Sequence, residues 1–388
     1  MWHDGLSVMD SLPADYVPEL RPRPPWLMEE MVASEPALVG EILGDASQAH
    51  GIAKQIRRAL EERLPLAVVG CGTSETAAMA VRDVLCERVV VMGSSSAMIH
   101  ARQAFEAALN PWAGGLCVGI SHEGGTRATI LAMDAARGAG AATALLTARP
   151  DAAAGKSADR VFVTPRIDRS WCHTVGYLSP ILAGRAIAEA ISPSGLDAND
   201  LARLTRDALQ LRNDAKKVAY GLRSVDRMIV IACGSDRSPA KELALKIEEG
   251  SRVPARMLEL ETLLHGHLAA ADAHTGLVLI ATGRSDRAIK RAGLAVHAAR
   301  RIGLPVAAIL TPGVSDRLAE DAIEAGRIVL PGESDLLGLI GRFAATAIAL
   351  QLLTLELAAS HGTNPDLIRR DQDAYREAAQ VAESDTSW

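Results

Sequence analysis

Apolar positions fall along this chain in short runs that alternate with longer stretches of helical spacing. Leu66–Gly70, Leu116–Ile120, Ala141–Thr147 and Arg160–Val163 read as short buried strands, and Val89–Met92 reads as another. Most are followed by a polar turn and then by apolar residues three and four apart. Leu116–Met133 is the clearest case: strand LCVGI, turn SHEGGT, then Ala128, Ile130, Leu131 and Met133 on a helix. Alternation of this kind predicts a parallel, doubly wound sheet with right-handed crossovers. At such a turn the free N–H groups and positive dipole end of the helix stand at the carboxyl end of a strand, where open α/β sheets bind ligands. The turn matches neither GxGxxG nor a P-loop, and an ordinary capped βα turn would look the same.

The pattern then repeats. MIVIACGSDRSPAKELALKI (Met228–Ile247) echoes LAVVGCGTSETAAMAV, and Gly276–Pro312 echoes the stretch that begins at Gly115. The offset is 162 residues from Cys71 to Cys233 and 164 from Thr147 to Thr311. A fixed offset over several elements predicts two copies of one α/β domain. The expected organisation is an arm and helices over 1–62, a first domain over 63–194, a helical connector over 195–224, a second domain over 225–360 and a tail over 361–388. Five prolines between Pro13 and Pro25 predict an extended arm. Tyr177–Ile191 and Asp335–Ser360 read as long apolar helices.

Composition narrows the classes. The chain's 388 residues suffice for two domains, and 3% aromatic residues require aliphatic, alanine-rich cores. A net charge of -6 without a basic run disfavours nucleic acid as a partner. No apolar run approaches about 20 residues, so no membrane span is expected, and the N-terminus lacks a signal-peptide pattern. Five cysteines without CxxC spacing read as reduced thiols of a cytoplasmic protein, not as a disulfide frame or a zinc site.

CGTS after the first strand, the serine-rich end Gly93–Ser96 of the second, Ser121-x-x-Gly124-x-Thr126 after the third and the GTNPDxxR tail together resemble the sugar isomerase (SIS) domain family. The resemblance covers roughly 63–370 and is greatest to the isomerase half of glucosamine-6-phosphate synthase and to related phosphosugar isomerases, deaminases and deglycases. It implies two tandem flavodoxin-like SIS domains, each a three-layer αβα sandwich on a parallel sheet. It implies aldose–ketose isomerisation of a sugar phosphate, or deamination or deglycation of an amino-sugar phosphate, by proton transfer between C1 and C2. It implies a homodimer, and no organic cofactor or metal. No glutaminase domain is expected ahead of the first half.

The resemblance assigns residues one by one. Thr73, Ser74, Ser95, Ser121 and Thr126 fall on the hydroxyls that cradle the phosphate, a role that suits hydroxyls and helix N-termini; helix capping accounts equally for Thr73 and Ser74. Glu249, in ALKIEE, falls on the family's general base, and Lys246 on a lysine one turn earlier. A carboxylate tuned by burial and a nearby lysine suits this chemistry, whereas a solvated i,i+3 pair is the plain alternative. His265 and Gly266, in ETLLHGHLAAAD, fall on the ring-opening histidine and its glycine, supplied across the dimer, and Asp272 on the aspartate that follows. A histidine titrates near neutrality and can protonate a ring oxygen; a loop histidine satisfied locally is the other reading. His265 and His267 are two apart and share no helix face, so they are not read as a metal pair.

Three departures bear on the substrate. Glu123 stands where the synthase has a phosphate-binding serine, and His122 replaces a glutamine. A carboxylate beside a phosphate dianion costs on the order of a kcal/mol unless Arg127 or His122 neutralises it. WCHTV replaces V-A-S-T-K, so His173 stands for serine and Val175 for lysine. The tail keeps Arg369, but Asp373 stands for the synthase lysine, against amino transfer. Arg369 and Arg370 would close over an anionic substrate as a lid or form a solvated helix end. In the second half, Arg284, Asp286 and Arg287 are expected to fill or screen the corresponding turn, leaving one sugar site per chain. Two rivals stand beside the isomerase: a non-catalytic carbohydrate-binding or regulatory SIS protein, and an isomerase of an unphosphorylated sugar derivative.

Overall fold

The structure is a computed structural model, and it describes residues 21–384 apart from Ala46 and Ser94. Most of the expected arm, and Ser94 of the serine-rich end, lie outside the described residues.

Two five-stranded parallel sheets form the frame. The first holds β1 (Leu66–Gly70), β2 (Ile99–Gln103), β3 (Leu116–Ile120), β4 (Ala142–Thr147) and β5 (Arg160–Val163) in the order β2-β1-β3-β4-β5. The second holds β6 (Arg227–Ala232), β7 (Ala255–Glu259), β8 (Thr275–Ala281), β9 (Val306–Leu310) and β10 (Gly326–Val329) in the order β10-β9-β8-β6-β7. Read from its other edge, the second order is the first again. The repeat is therefore two flavodoxin-like domains. β1, β3 and β9 are buried at every position, as expected of central parallel strands covered on both faces.

One strand expected from the sequence is not a strand. Val89–Met92 is the end of the helix that begins at Thr73 and closes at Val91. Val81, Val84, Leu85 and Val89 face the core at helical spacing, while Val90 and Val91 are exposed. The true β2, IHARQ, is an edge strand with a single buried residue, Ile99, and so carries almost no apolar signal. Register fixes the consequence. Ile99 pairs with Leu66 at the amino end of the sheet, whereas Gln103 pairs with Gly70 at the carboxyl end. Ser95 precedes Ile99 and is placed at the amino end, away from the cradle expected at Thr73 and Ser121. There it accepts a hydrogen bond from Ala97 N (3.2 Å).

Among the described residues the α-helices longer than four residues are α1 (Leu27–Leu43), α2 (Ala49–Glu61), α3 (Thr73–Val91), α4 (Ala104–Leu109), α5 (Arg127–Gly138), α6 (Val175–Ile191), α7 (Ala198–Ala208), α8 (Arg212–Gly221), α9 (Arg237–Ser251), α10 (Leu260–Leu264), α11 (Asp286–Ile302), α12 (Gly338–Ser360) and α13 (Asp373–Ser384). α7 and α8 fall between α6 and β6, within residues 195–224. α6 and α12 are apolar around nearly their whole circumference and lie in one core shared by both halves with α1, α2, α3 and α9. α12 is long and apolar enough to cross a membrane by length and composition, yet most of it is buried within the fold. A smaller core fills the outer face of each sheet. The tail returns to the start: Asp366 accepts from Leu27 N and Met28 N, 2.8 Å each, and caps α1.

Candidate functional site

The site is centred where the turn after β1 meets α9, with the turn after the neighbouring strand β3 at the same carboxyl end of the first sheet. These strands are neighbours whose following helices begin on opposite sides of the switch in strand order. Gly72 turns the chain with φ +55°, and α3 begins at Thr73.

Two residues of α9, Glu242 and Lys246, converge on Thr73, and Glu249, three residues further on, pairs with Lys246. Lys246 has no solvent exposure. Its Nζ donates to Thr73 Oγ1 (2.9 Å) and to Glu249 Oε2 (2.6 Å), and lies 3.4 Å from Glu242 Oε1. Glu242 in turn accepts from the Thr73 hydroxyl (3.2 Å) and from the Thr76 hydroxyl (2.5 Å). Burial opposes the lysine's charge, but Glu242 and Glu249 outweigh it and hold the ammonium well above its usual range. Burial raises the Glu242 carboxyl, with Lys246 pulling the other way. Glu249 is the open end of this cluster, with 21% of its side chain exposed. The pair is thus a buried ion pair and not a solvated one.

The β3 turn is shaped by Gly124, at φ +69°; a Cβ there would lie 2.7 Å from Ala152 Cβ and 2.8 Å from Arg149 O. Ser121 Oγ lies 3.2 Å from Thr126 Oγ1. Thr126 precedes α5, and its hydroxyl makes no capping bond. Ser74 is half-buried at the start of α3, and Glu123 is half-buried in the turn. His122 is buried, and its Nε2 accepts from Asp168 N (2.8 Å). Burial lowers it to about 4. The ring of His173 stands edge-on to it at 5.3 Å between centroids. Burial, then His122, Lys246 and Arg370, hold His173 well below the usual histidine range.

Arg369, His265 and Asp272 make their contacts elsewhere on this chain. Arg369 lies over the ring of Tyr375 (3.8 Å) and donates to Gln372 Oε1 (3.1 Å), both within the tail. Arg370, over Trp171 at 4.7 Å, is the tail arginine that acts on His173. His265 is 74% exposed and 3.2 Å from Glu261; no hydrogen bond joins it to Lys246 or Glu249. Asp272 pairs with Arg227 (2.7 Å) on the surface of the second half.

Of the two expectations for the second-half turn, filled or screened by Arg284, Asp286 and Arg287, the first is not met. Arg284 reaches Asp335 (3.1 Å to its carbonyl), and Asp286 pairs with Arg317 (2.8 Å). A cavity of about 200 Å³ remains at the carboxyl ends of β6 and β8, lined by Cys233, Ser235, Asp236, Arg284 and Ser285 over an apolar floor. Arg284 lines this space and Asp286 does not, so the turn is flanked by Arg284 but not filled.

Sequence reasoning missed Glu242 and Asp168. Glu242 had a signal, since it lies four residues before Lys246 on the same helix face. Asp168 sits in an aperiodic loop and had none. Among the described residues no cluster of three or more His, Cys, Asp or Glu side chains is arranged to hold a metal ion.

Residues 221–358 match the family model of the SIS domain. The second half is a SIS domain. The sheet orders make the first half a second copy of the SIS fold. No curated protein matches the chain in sequence. Among solved structures, the C-terminal domain of glucosamine-fructose-6-phosphate aminotransferase from Francisella tularensis is 17% identical over 90% of this chain and 99% of its own, with a TM-score of 0.76. Tagatose-6-phosphate ketose/aldose isomerase from Escherichia coli is 17% identical over 90% and 98%, with a TM-score of 0.72. Glucosamine-6-phosphate deaminase from Thermotoga maritima is 17% identical over 87% and 97%, with a TM-score of 0.61. What these share with the present chain is the tandem SIS fold.

Proposed function

We propose that this chain is a cytoplasmic, homodimeric sugar-phosphate isomerase or amino-sugar-phosphate deaminase or deglycase, acting by proton transfer between C1 and C2. The observation that carries this reading is the placement of Glu249. Its carboxylate is held by a fully buried lysine, which is itself fixed by Thr73 at the start of the neighbouring domain's α3. A carboxylate so held can take a proton from one carbon of an open-chain sugar and return it to the next, with little loss of orientation. Ser74, Ser121 and Thr126, at the mouths of α3 and α5, form the cradle for the sugar's anionic end. His265, exposed on its own chain, opens the ring in the partner's site. The isomerase and deaminase named among the solved structures act on 6-phosphates, which suits a cradle of hydroxyls and helix N-termini.

A second reading is favoured by Glu123. Its carboxylate in the β3 turn suits an unphosphorylated sugar derivative better than a phosphate dianion. Thermal shift across glucosamine, galactosamine, fructose and their 6-phosphates separates the two. Stabilisation by the phosphates alone supports the phosphosugar reading. Stabilisation by the free sugars supports the second, and stabilisation by none supports a site rebuilt for another ligand. A strictly monomeric species by light scattering at micromolar concentration would contradict the shared site.

A further inference from the structure

His122, the second residue of the β3 turn, is anchored by a residue of a separate loop. Asp168 donates its backbone N–H to His122 Nε2 at 2.8 Å. A nitrogen that accepts a hydrogen bond carries no proton, so the ring's proton is on Nδ1. The Asp168 carboxylate holds its own loop in place. It accepts from Thr174 N (2.8 Å), Thr174 Oγ1 (3.1 Å) and Gly176 N (2.7 Å). Gly176 also walls the ring: a Cβ there would lie 3.2 Å from His122 Cγ and from Asp168 Oδ2. The strut continues inward. Gln351 of α12 donates to Thr174 O (3.3 Å) and to Glu35 Oε1 of α1 (2.9 Å).

One edge of the imidazole is left over. Its Cγ and Cδ2 meet Gly176, and its Nε2 meets Asp168. Among the described residues no protein group bonds Nδ1, and Nδ1 is not among the buried side-chain atoms sealed without a partner. A directed N–H therefore remains at the base of the turn that carries Ser121 and Thr126. We propose that Asp168 is a positioning residue that locks His122 in the Nδ1–H tautomer, so that His122 presents a fixed N–H donor to an oxygen of the ligand held by the β3 turn. The ligand group it fits is an oxygen acceptor, a sugar hydroxyl or a phosphoryl oxygen. Like a glutamine amide, it contributes direction without positive charge. This rests on the sugar-binding reading of the turn, but the tautomer itself does not.

The tautomer is read by nitrogen NMR of the full chain labelled at histidine, at pH 7 and without ligand. The His122 signals, identified by their loss in His122→Gln, are expected in the neutral Nδ1–H pattern. Asp168→Asn places an amide where three donors converge and is expected to shift them toward mixed tautomers; Thr174→Val removes a single bond and is the milder variant should Asp168→Asn not fold. Binding is then measured by calorimetry with fructose and fructose 6-phosphate. His122→Gln keeps an acceptor for Asp168 N and a donor for the ligand, and should bind within about threefold of the parent. His122→Leu should lose about three- to tenfold or more at equal thermal stability. An Nε2–H or cationic His122, or tautomer populations unmoved in Asp168→Asn and Thr174→Val alike, overturns the proposal. So does His122→Leu binding like the parent. A parent chain that binds neither sugar contradicts the sugar-binding reading, while the NMR still decides the role of Asp168.

Discussion

Lys246 Nζ stands 2.6 Å from Glu249 Oε2 with no solvent exposure of its own, and Glu249 alone of the two reaches water. The pair is therefore asymmetric. The cation is built into the fold and the carboxylate is presented. A second carboxylate, Glu242, flanks the same cation from one turn earlier on the helix. Removing Lys246 leaves Glu242 buried and unpaired, whereas removing the Glu249 charge does not.

Lys246→Met should accordingly cost about 3–5 kcal/mol of stability, as expected when one partner of a buried ion pair is lost. Glu249→Gln should cost roughly 1 kcal/mol or less, because its carboxylate is partly solvated. Adding Glu242→Gln to Lys246→Met should restore part of the loss. Urea denaturation of the three variants gives the order; equal costs for Lys246→Met and Glu249→Gln would contradict it.

His122 sets an acid limit. Its folded value of about 4 lies below the ordinary value of 6.5. A depressed histidine contributes stability that is present above 6.5 and is lost as pH falls from 6.5 toward 4. The loss over that whole range is on the order of 3 kcal/mol for His122, and His173 adds in the same direction. Asp168 runs the other way. Burial pushes it up to about 7, so its contribution is present at low pH and lost as pH rises through 7. His122→Gln should therefore lose less stability than the parent between pH 7 and pH 5. A parallel pH dependence for the two would show that His122 is not buried neutral.

Glu35 is a buried carboxyl with a single partner, Gln351, and burial raises it well above its usual value. Its second oxygen, Oε2, has no hydrogen bond. The stability it contributes is present below 4.5 and lost as pH rises through its folded value. Glu35→Gln removes the titration. It should be closer to the parent at pH 5 and more stable than the parent at pH 8, by about 1 kcal/mol or more. Thermal melts at the two pH values check this, and a variant less stable at pH 8 would contradict it.

Asp366 ties the tail to α1 through two backbone N–H groups. Asp366→Ala should cost about 1–2 kcal/mol, as loss of a capping side chain does, and should speed amide exchange at the start of α1. Unchanged exchange at Leu27 and Met28 would contradict the capping role.

Much of the fold was legible in the sequence because the central strands are buried on both faces. LAVVG, LCVGI and VAAIL carry uninterrupted apolar runs, and the offset of Cys71 and Cys233 exposed the repeat. The edges were not legible. IHARQ has one buried residue, so the β-branched run before it, the end of α3, drew the strand assignment and carried Ser95 with it. In the site, Thr73, Ser121, Thr126, Lys246 and Glu249 lie in stretches that the resemblance marks, CGTS, Ser-x-x-Gly-x-Thr and ALKIEE; spacing alone allowed capping and a solvated pair equally. Asp168 acts through its backbone and through a loop closed by Thr174 and Gly176. That contact joins residues 46 apart and leaves no periodic trace. Arg369 had the right chemistry, but it lies over Tyr375 and donates to Gln372 within the tail.

The central claim is that Glu249 moves a proton between C1 and C2. Deuterium incorporation tests it directly: whichever sugar stabilises the chain is incubated in deuterium oxide and its C1 and C2 positions are followed by proton NMR. The parent chain should exchange one of these hydrogens. Glu249→Gln should slow the exchange by about 10²-fold or more, in line with loss of a general base, while binding the sugar with similar affinity. Exchange that proceeds at the parental rate in Glu249→Gln, or a parent chain that binds the sugar and exchanges nothing, would contradict the account.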